Sequence, residues 1–281
     1  YLRKHNKKVI LGGFGMDYYW VHVCCQDKPL RYSDFNIGDK LRNNADALKE
    51  RKEWLGTTKE RLNRMIAEDC DGIITGLYEY WACYYPNFPR KTTFIPFPIR
   101  SYAHTADISY AIPQKIKLFI GINKLRSEYK GTDIMFKAAQ AIAEKYPEKV
   151  ELRVAESLPF KQYVEMMNGS DAILDQLYSY TPSMNPLEAM ARGIICIGGG
   201  EPENYEIIHE TQLKPILNVL PTYESVYQQL EQLVLHPERI PQLKKESIEY
   251  INKHHDYMKV AKKYEEYYKD TLCCQSEETR L

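Results

Sequence analysis

The chain has 281 residues, with 38 Lys and Arg balanced by 38 Asp and Glu, and an isoelectric point near 7.2. Neutrality removes the broad electrostatic attraction that draws basic proteins to nucleic acids and anionic lipid, so no nucleic-acid partner is expected. The length is enough for two lobes, each with its own core.

Lys8-Val9-Ile10-Leu11 reads as a strand emptying into the tight turn Gly12-Gly13-Phe14-Gly15. Residues 44–68 carry Leu48, Trp54, Leu55, Leu62, Met65 and Ile66 at rough helical spacing, which predicts one or two helices. Asp71-Gly72-Ile73-Ile74-Thr75 is a strand, followed by an aromatic segment from Tyr78 to Tyr85. A further strand and proline-rich exit run from Thr93 to Ile99, and a linker is expected over 100–114.

A second series starts at Ile116-Lys117-Leu118-Phe119-Ile120-Gly121. Helices are predicted over 133–146, 160–167, 186–192 and 203–209, with strands over 150–154, 172–174, 194–197 and 216–219. That alternation predicts a doubly wound parallel sheet. From Tyr223 the chain reads as helical with breaks at Pro237 and Pro241, and it ends in an amphipathic helix over 258–268.

Seven cysteines, including the neighbours Cys24-Cys25 and Cys273-Cys274, show no framework of the small secreted kind, so a reducing cytosol is expected. No run of about 18 apolar residues marks a membrane span, and the first residues lack the pattern of a secretion signal. Asp69-Cys70-Asp71 precedes a strand instead of ending one, and His254-His255 are helix neighbours that point apart. Neither is read as a metal site, and none is expected elsewhere.

The most informative segment is Tyr180-Thr181-Pro182-Ser183-Met184-Asn185-Pro186-Leu187-Glu188-Ala189-Met190-Ala191-Arg192-Gly193. It places a carboxylate early in an Ala/Met helix that passes through Gly into a buried-looking strand. Leu187-Glu188-Ala189-Met190-Ala191-x-Gly193 resembles the nucleotide-sugar motif of retaining GT-B glycosyltransferases of the family 4 kind. By that resemblance the fold is α/β, with two Rossmann-like lobes facing a cleft. The lobes would span 1–105 (acceptor side) and 106–255 (donor side), followed by a helix crossing back and a tail over 256–281. The stretch before the linker is short for such a lobe, and the chain opens on Tyr1, so the first lobe is expected to be incomplete here.

The resemblance also implies roles. Glu188 would hold the two ribose hydroxyls; Tyr180 stands where the family has a second Glu that touches the donor sugar. Gly121 to Asp133 resembles the family's Gly-Arg-x-x-x-x-Lys-Gly segment, so Arg126 and Lys130 would hold the diphosphate. Glu156 and Leu158 lie where the base is read, and Ser183, Met184 and Asn185 where backbone N–H groups meet the donor. Gly199, within a triple Gly, and Gly15 and Asp17, in the first lobe, are candidate cleft residues, and no catalytic residue can be named.

The implied activity is transfer of a sugar from a nucleotide-diphosphate sugar to a carbohydrate or lipid-linked acceptor, in surface polysaccharide synthesis. No cofactor or metal is expected. Cytoplasmic location is expected, with room for peripheral contact at the inner membrane face. A GT-B sugar-nucleotide epimerase and a non-catalytic nucleotide-sugar-binding protein remain as alternatives.

Overall fold

The computed structural model describes residues 1–100 and 108–273. The chain divides into two compact units, one formed by Tyr1–Pro98 with the segment from Tyr257 onward, the other by Ile99–Asp256. The boundary expected at 105/106 falls on residues 101–107 and the tail on 274–281, both outside the described residues.

In the first unit, strands β1 (Ile10–Gly13), β4 (Gly72–Thr75) and β5 (Thr92–Phe94) form a three-stranded parallel sheet in the order β1-β4-β5. The intervening β2 (Asn36–Ile37) and β3 (Lys40–Leu41) make a separate antiparallel ladder. Residues 44–68 hold two helices, Ala45–Trp54 and Thr58–Asp69, begun by the side-chain caps Asn44 and Thr57. Two further helices, Tyr18–Gln26 and Tyr78–Tyr84, follow β1 and β4. The last helix, Tyr257–Cys273, belongs to this unit: Val260 is buried with Ile74 and Ile95, and Tyr264 and Tyr267 pack beside them.

The second unit has a five-stranded parallel sheet: β6 (Ile116–Ile122), β7 (Val150–Glu156), β8 (Ala172–Leu174), β9 (Ile195–Gly198) and β10 (Leu217–Asn218). Both faces are covered, as parallel sheets require. Leu118, Ile120 and Ile122 of β6 pack with Met135, Ala138 and Ile142 of helix Thr132–Lys145. Phe119 points the other way, with Ile173, toward Met167 of helix Phe160–Met167 and Ala189 of helix Met184–Met190.

Three expectations shift. The break expected at Pro237 is present, since helix Tyr223–Leu235 ends just before it and Pro237–Arg239 is a 3-10 turn. Pro241 instead lies in the first turn of helix Ile240–Tyr250, where the missing N–H has no partner to lose, so it marks a helix start and not a break. Likewise Pro186 sits inside the first turn of Met184–Met190, so that helix starts two residues earlier than predicted. Ile194 is not yet strand: its N–H closes the helix end onto the Ala189 carbonyl at 3.1 Å.

The amino ends of the strands are fastened by one buried charge pair. Asp171 accepts the Lys117 backbone N–H at 2.8 Å and the Lys244 ammonium at 2.6 Å, and the two side chains are only 7% and 8% exposed. Lys244→Met should therefore strand a buried carboxylate and cost about 3 kcal/mol. Urea unfolding of the variant against the parent measures this, and a loss below about 1 kcal/mol would contradict the role.

Candidate functional site

The strand order in the second unit is β10-β9-β8-β6-β7. The chain passes from β6 out to β7, then returns across β6 to form β8 on its other side. The connections leaving β6 and β8 diverge, and a crevice opens at the carboxyl ends of these two strands, the usual ligand position in open α/β sheets.

One wall is the loop after β6. A 3-10 turn, Lys124–Arg126, capped by the Asn123 side chain, leads into a single helical turn, Ser127–Lys130. Gly131 ends it at φ +73°, and a Cβ there would lie 2.6 Å from the Leu177 Cβ, so glycine is required on both counts. The Leu177 N–H donates to the Lys130 carbonyl at 2.9 Å, tying this loop to the segment that leaves β8.

Asp175, the first residue past β8, is the hub of the other wall. Burial pushes its carboxyl above the usual range, opposed by the charge of Lys130 and by side-chain hydrogen bonds from Asn185 and Ser183. The Asn185 amide donates to Asp175 Oδ1 at 3.1 Å. Ser183 spends its hydroxyl on Asp175 and makes no side-chain cap to the helix it precedes. Asn185 also bonds the Tyr163 hydroxyl, and burial holds that phenol well above its ordinary pKa, so it stays protonated. The Tyr163 ring lies over Gly121: a Cβ at Gly121 would come within 2.5 Å of it.

Beside this network is a cavity of about 810 Å³ whose lining includes Leu158, Phe160, Tyr163, Met184, Asn185 and Glu188. Its walls are largely apolar, with Glu165 and Glu188 as lining carboxylates; Glu188, on the helix Met184–Met190, is ion-paired at 2.6 Å to Arg192, which lines the cavity as well. An apolar slot, a carboxylate and a cationic loop thus stand around one crevice. Such a set can hold a flat ring, vicinal hydroxyls and an anion respectively.

The residues expected from the sequence sort as follows. Gly121, Lys130, Leu158, Ser183, Met184, Asn185 and Glu188 lie around the crevice and its cavity. Arg126 stacks over the Tyr129 ring at 4.7 Å, and Glu156, the last residue of β7, is paired with Lys124 at 2.7 Å. Tyr180 is 1% exposed, its side chain packed inside the second unit. Gly199 approaches protein backbone, since a Cβ there would collide with the Ser179 carbonyl. Gly15 and Asp17 belong to the first unit. There Asp17 caps helix Tyr18–Gln26 through the Trp20 N–H at 2.9 Å and accepts the Tyr84 hydroxyl at 2.7 Å.

Sequence reasoning left out Tyr163 and gave no role to Asp175. Asp175 could have been marked as a carboxylate at a strand's carboxyl end. Tyr163 carries no such signal, because at helical spacing it reads as ordinary apolar face.

No protein-family model matches the chain, and no curated protein sequence matches it significantly. Solved structures do resemble it. HepE of Anabaena, crystallised with UDP and glucose, aligns with TM-score 0.58 at 11% identity over 78% of this chain and 68% of its own. TarM of S. aureus, in a complex containing UDP, aligns with TM-score 0.57 at 11% identity over 77% of this chain and 47% of its own. The fold is GT-B. Sucrose-phosphate synthase of Thermosynechococcus elongatus aligns with TM-score 0.55 at 15% identity, over 77% of this chain and 62% of its own. The chain spans about half the length of TarM, and the expected GT-B architecture of parallel α/β sheets is borne out.

Asp17 gives this GT-B chain a pH signature. Burial, partly offset by the Trp20 N–H and the Tyr84 hydroxyl, lifts its carboxyl from 3.8 to about 6. The folded state therefore holds that proton more tightly than the unfolded chain, and this contribution to stability grows as pH falls from about 6 toward 3.8. Asp17→Asn keeps the cap oxygen and removes the titration. Denaturant melts across this window should show a shallower rise on acidification for the variant than for the parent, and equal slopes would refute the shift.

Proposed function

We propose that this chain carries the nucleotide-sugar site of a retaining glycosyltransferase that transfers a sugar to a carbohydrate or lipid-linked acceptor in surface polysaccharide synthesis. The observation that carries the reading is the position of Glu188 in the same cavity as Leu158, Met184 and Asn185, beside the crevice at the carboxyl ends of β6 and β8. The base would lie against Leu158 and Phe160, and the ribose diol would meet Glu188. Arg126 and Lys130 would face the diphosphate and neutralise charge as it grows on the departing nucleotide.

In this mechanism the donor diphosphate assists its own departure and the acceptor attacks from the same face, so no carboxylate pair of the glycosidase kind is required. The diphosphate charge is met by side chains, and the proposal includes no metal. The bound UDP of HepE and TarM makes UDP the first ligand to try. Among the described residues no helix is long and apolar enough to cross a membrane. The proposed setting is the cytoplasm, with peripheral contact at the membrane face where a lipid-linked acceptor would be presented.

Calorimetry with UDP, GDP and ADP tests the site. Glu188→Ala should weaken the bound nucleotide about tenfold or more, two hydroxyl hydrogen bonds being lost. Glu201→Ala should act on stability instead, because Glu201 is buried and accepts from Asn218 Nδ2 at 3.0 Å. Parental affinity in Glu188→Ala would remove the ribose assignment. With the donor identified, the anomeric proton of the product, read by NMR, should show the donor's configuration; inversion would reject the retaining mechanism.

A further inference from the structure

Arg192, the ion-pair partner of Glu188 in the cavity wall, has been given no role toward a ligand, yet its placement is specific. It stands four residues after Glu188, and its Nη2 donates to Glu188 Oε1 at 2.6 Å. Acid before base at this spacing is the favourable order on a helix. The backbone at Arg192 is held by the helix end. Helix Met184–Met190 has just ended, the Arg192 N–H bonds the Ala189 carbonyl at 2.9 Å, and the Gly193 N–H bonds the Met190 carbonyl at 3.0 Å. Gly193 then adopts φ +72°, a left-handed terminus that ends the helical path directly after Arg192.

The pair is partly shielded, with Glu188 23% and Arg192 17% exposed, so it is screened less than an open surface pair. Arg192 also lines a second cavity, of about 860 Å³, whose other walls include Lys117, Asp171 and Gly193 near the amino ends of the strands. It also lines the cavity that holds Glu188, so it stands between the two. An ionised carboxylate offers about four acceptor positions. Arg192 occupies one on Oε1, which leaves Oε2 and the remaining Oε1 position for two hydroxyls on neighbouring carbons.

We propose that Arg192 is a positioning residue that fixes the Glu188 carboxylate for a ribose diol, and thereby makes the site prefer ribonucleoside over 2′-deoxyribonucleoside diphosphates. The inference rests on the nucleotide reading given above. Without Arg192, Glu188 must be ordered by the ligand itself, and the benefit of the second hydroxyl falls. A carboxylate already aimed at both hydroxyls instead leaves an acceptor unpaired when one is missing, which is how a polar site rejects the analogue.

The test is calorimetry of UDP, GDP and ADP against their 2′-deoxy counterparts on the parent, Glu188→Gln, Arg192→Met and Arg192→Lys. The parent should prefer the ribo form of its nucleotide about tenfold or more. Arg192→Met should bring that ratio toward one while the deoxy affinity stays close to parental, and Arg192→Lys should restore part of it. A merely structural role would weaken both ligands alike and leave the ratio untouched, which overturns the proposal. If Glu188→Gln also keeps the parental ratio, or if no nucleoside diphosphate binds the parent, the ribose reading itself fails. If Glu188→Gln collapses the ratio and Arg192→Met does not, only the role of Arg192 fails. Arg192→Gln, of similar length and uncharged, takes the place of Arg192→Met should that variant not fold.

Discussion

The second unit is organised by strand β6, hydrogen-bonded on both edges, to β7 from Ile116↔Val150 through Ile122↔Glu156 and to β8 from Leu118↔Ala172 through Ile120↔Leu174. Parallel neighbours need crossovers of one hand. Moving outward to β7 therefore puts helix Thr132–Lys145 on one face of the sheet, and moving back to β8 puts helix Phe160–Met167 on the other. The residues follow suit, with Leu118 and Ile120 facing one layer and Phe119 the other. The divergence of the two connections makes room for Lys130, Asp175, Asn185 and Tyr163 to meet. The crevice is a consequence of chain direction before it is a consequence of any side chain.

Carboxylates in this protein are held in two different ways. Glu210 is buried, yet the hydrogen bond from Lys253, the backbone N–H groups of Leu213 and Gln212, and the contact with His254 outweigh burial and hold it well below the usual range. It fastens the end of the α/β series to the segment after helix Ile240–Tyr250, with Lys253 and His254 at 2.6 and 2.7 Å. Asp175 and Asp17 receive mainly neutral donors, and burial wins at both. A carboxylate fully committed to cations is fixed architecture; one left in balance responds to whatever charge arrives beside it.

Much of this was legible in the chain. The buried runs of β6, β7 and β8 and the amphipathic helix Thr132–Lys145 have clear periodicity, and their observed limits fall close to the predicted ones. Helix Tyr18–Gln26 was not foreseen because seven of its nine residues are buried, which erases the polar stripe that marks a surface helix. Tyr78–Tyr84 is similar, an aromatic segment whose buried Ala82, Cys83 and Tyr84 give no alternation to read. In the site, Glu188, Asn185 and Ser183 were visible because they share one local motif. Asp175 shows locally only as a carboxylate at a strand's end, and Tyr163 acquires meaning only through strand order, which brings residues from separate crossovers to one place and which no local pattern encodes.

The first unit is closed by residues from the far end of the chain. Val260, Tyr264 and Tyr267 cover Ile74 and Ile95, yet all of the second unit is synthesised between them. The second unit is continuous, so it can complete its core while the final helix is still inside the ribosome. The first cannot: its apolar face must wait, exposed, for residues 257–273 to emerge. Of the two units, the one whose translation starts first is the one finished last.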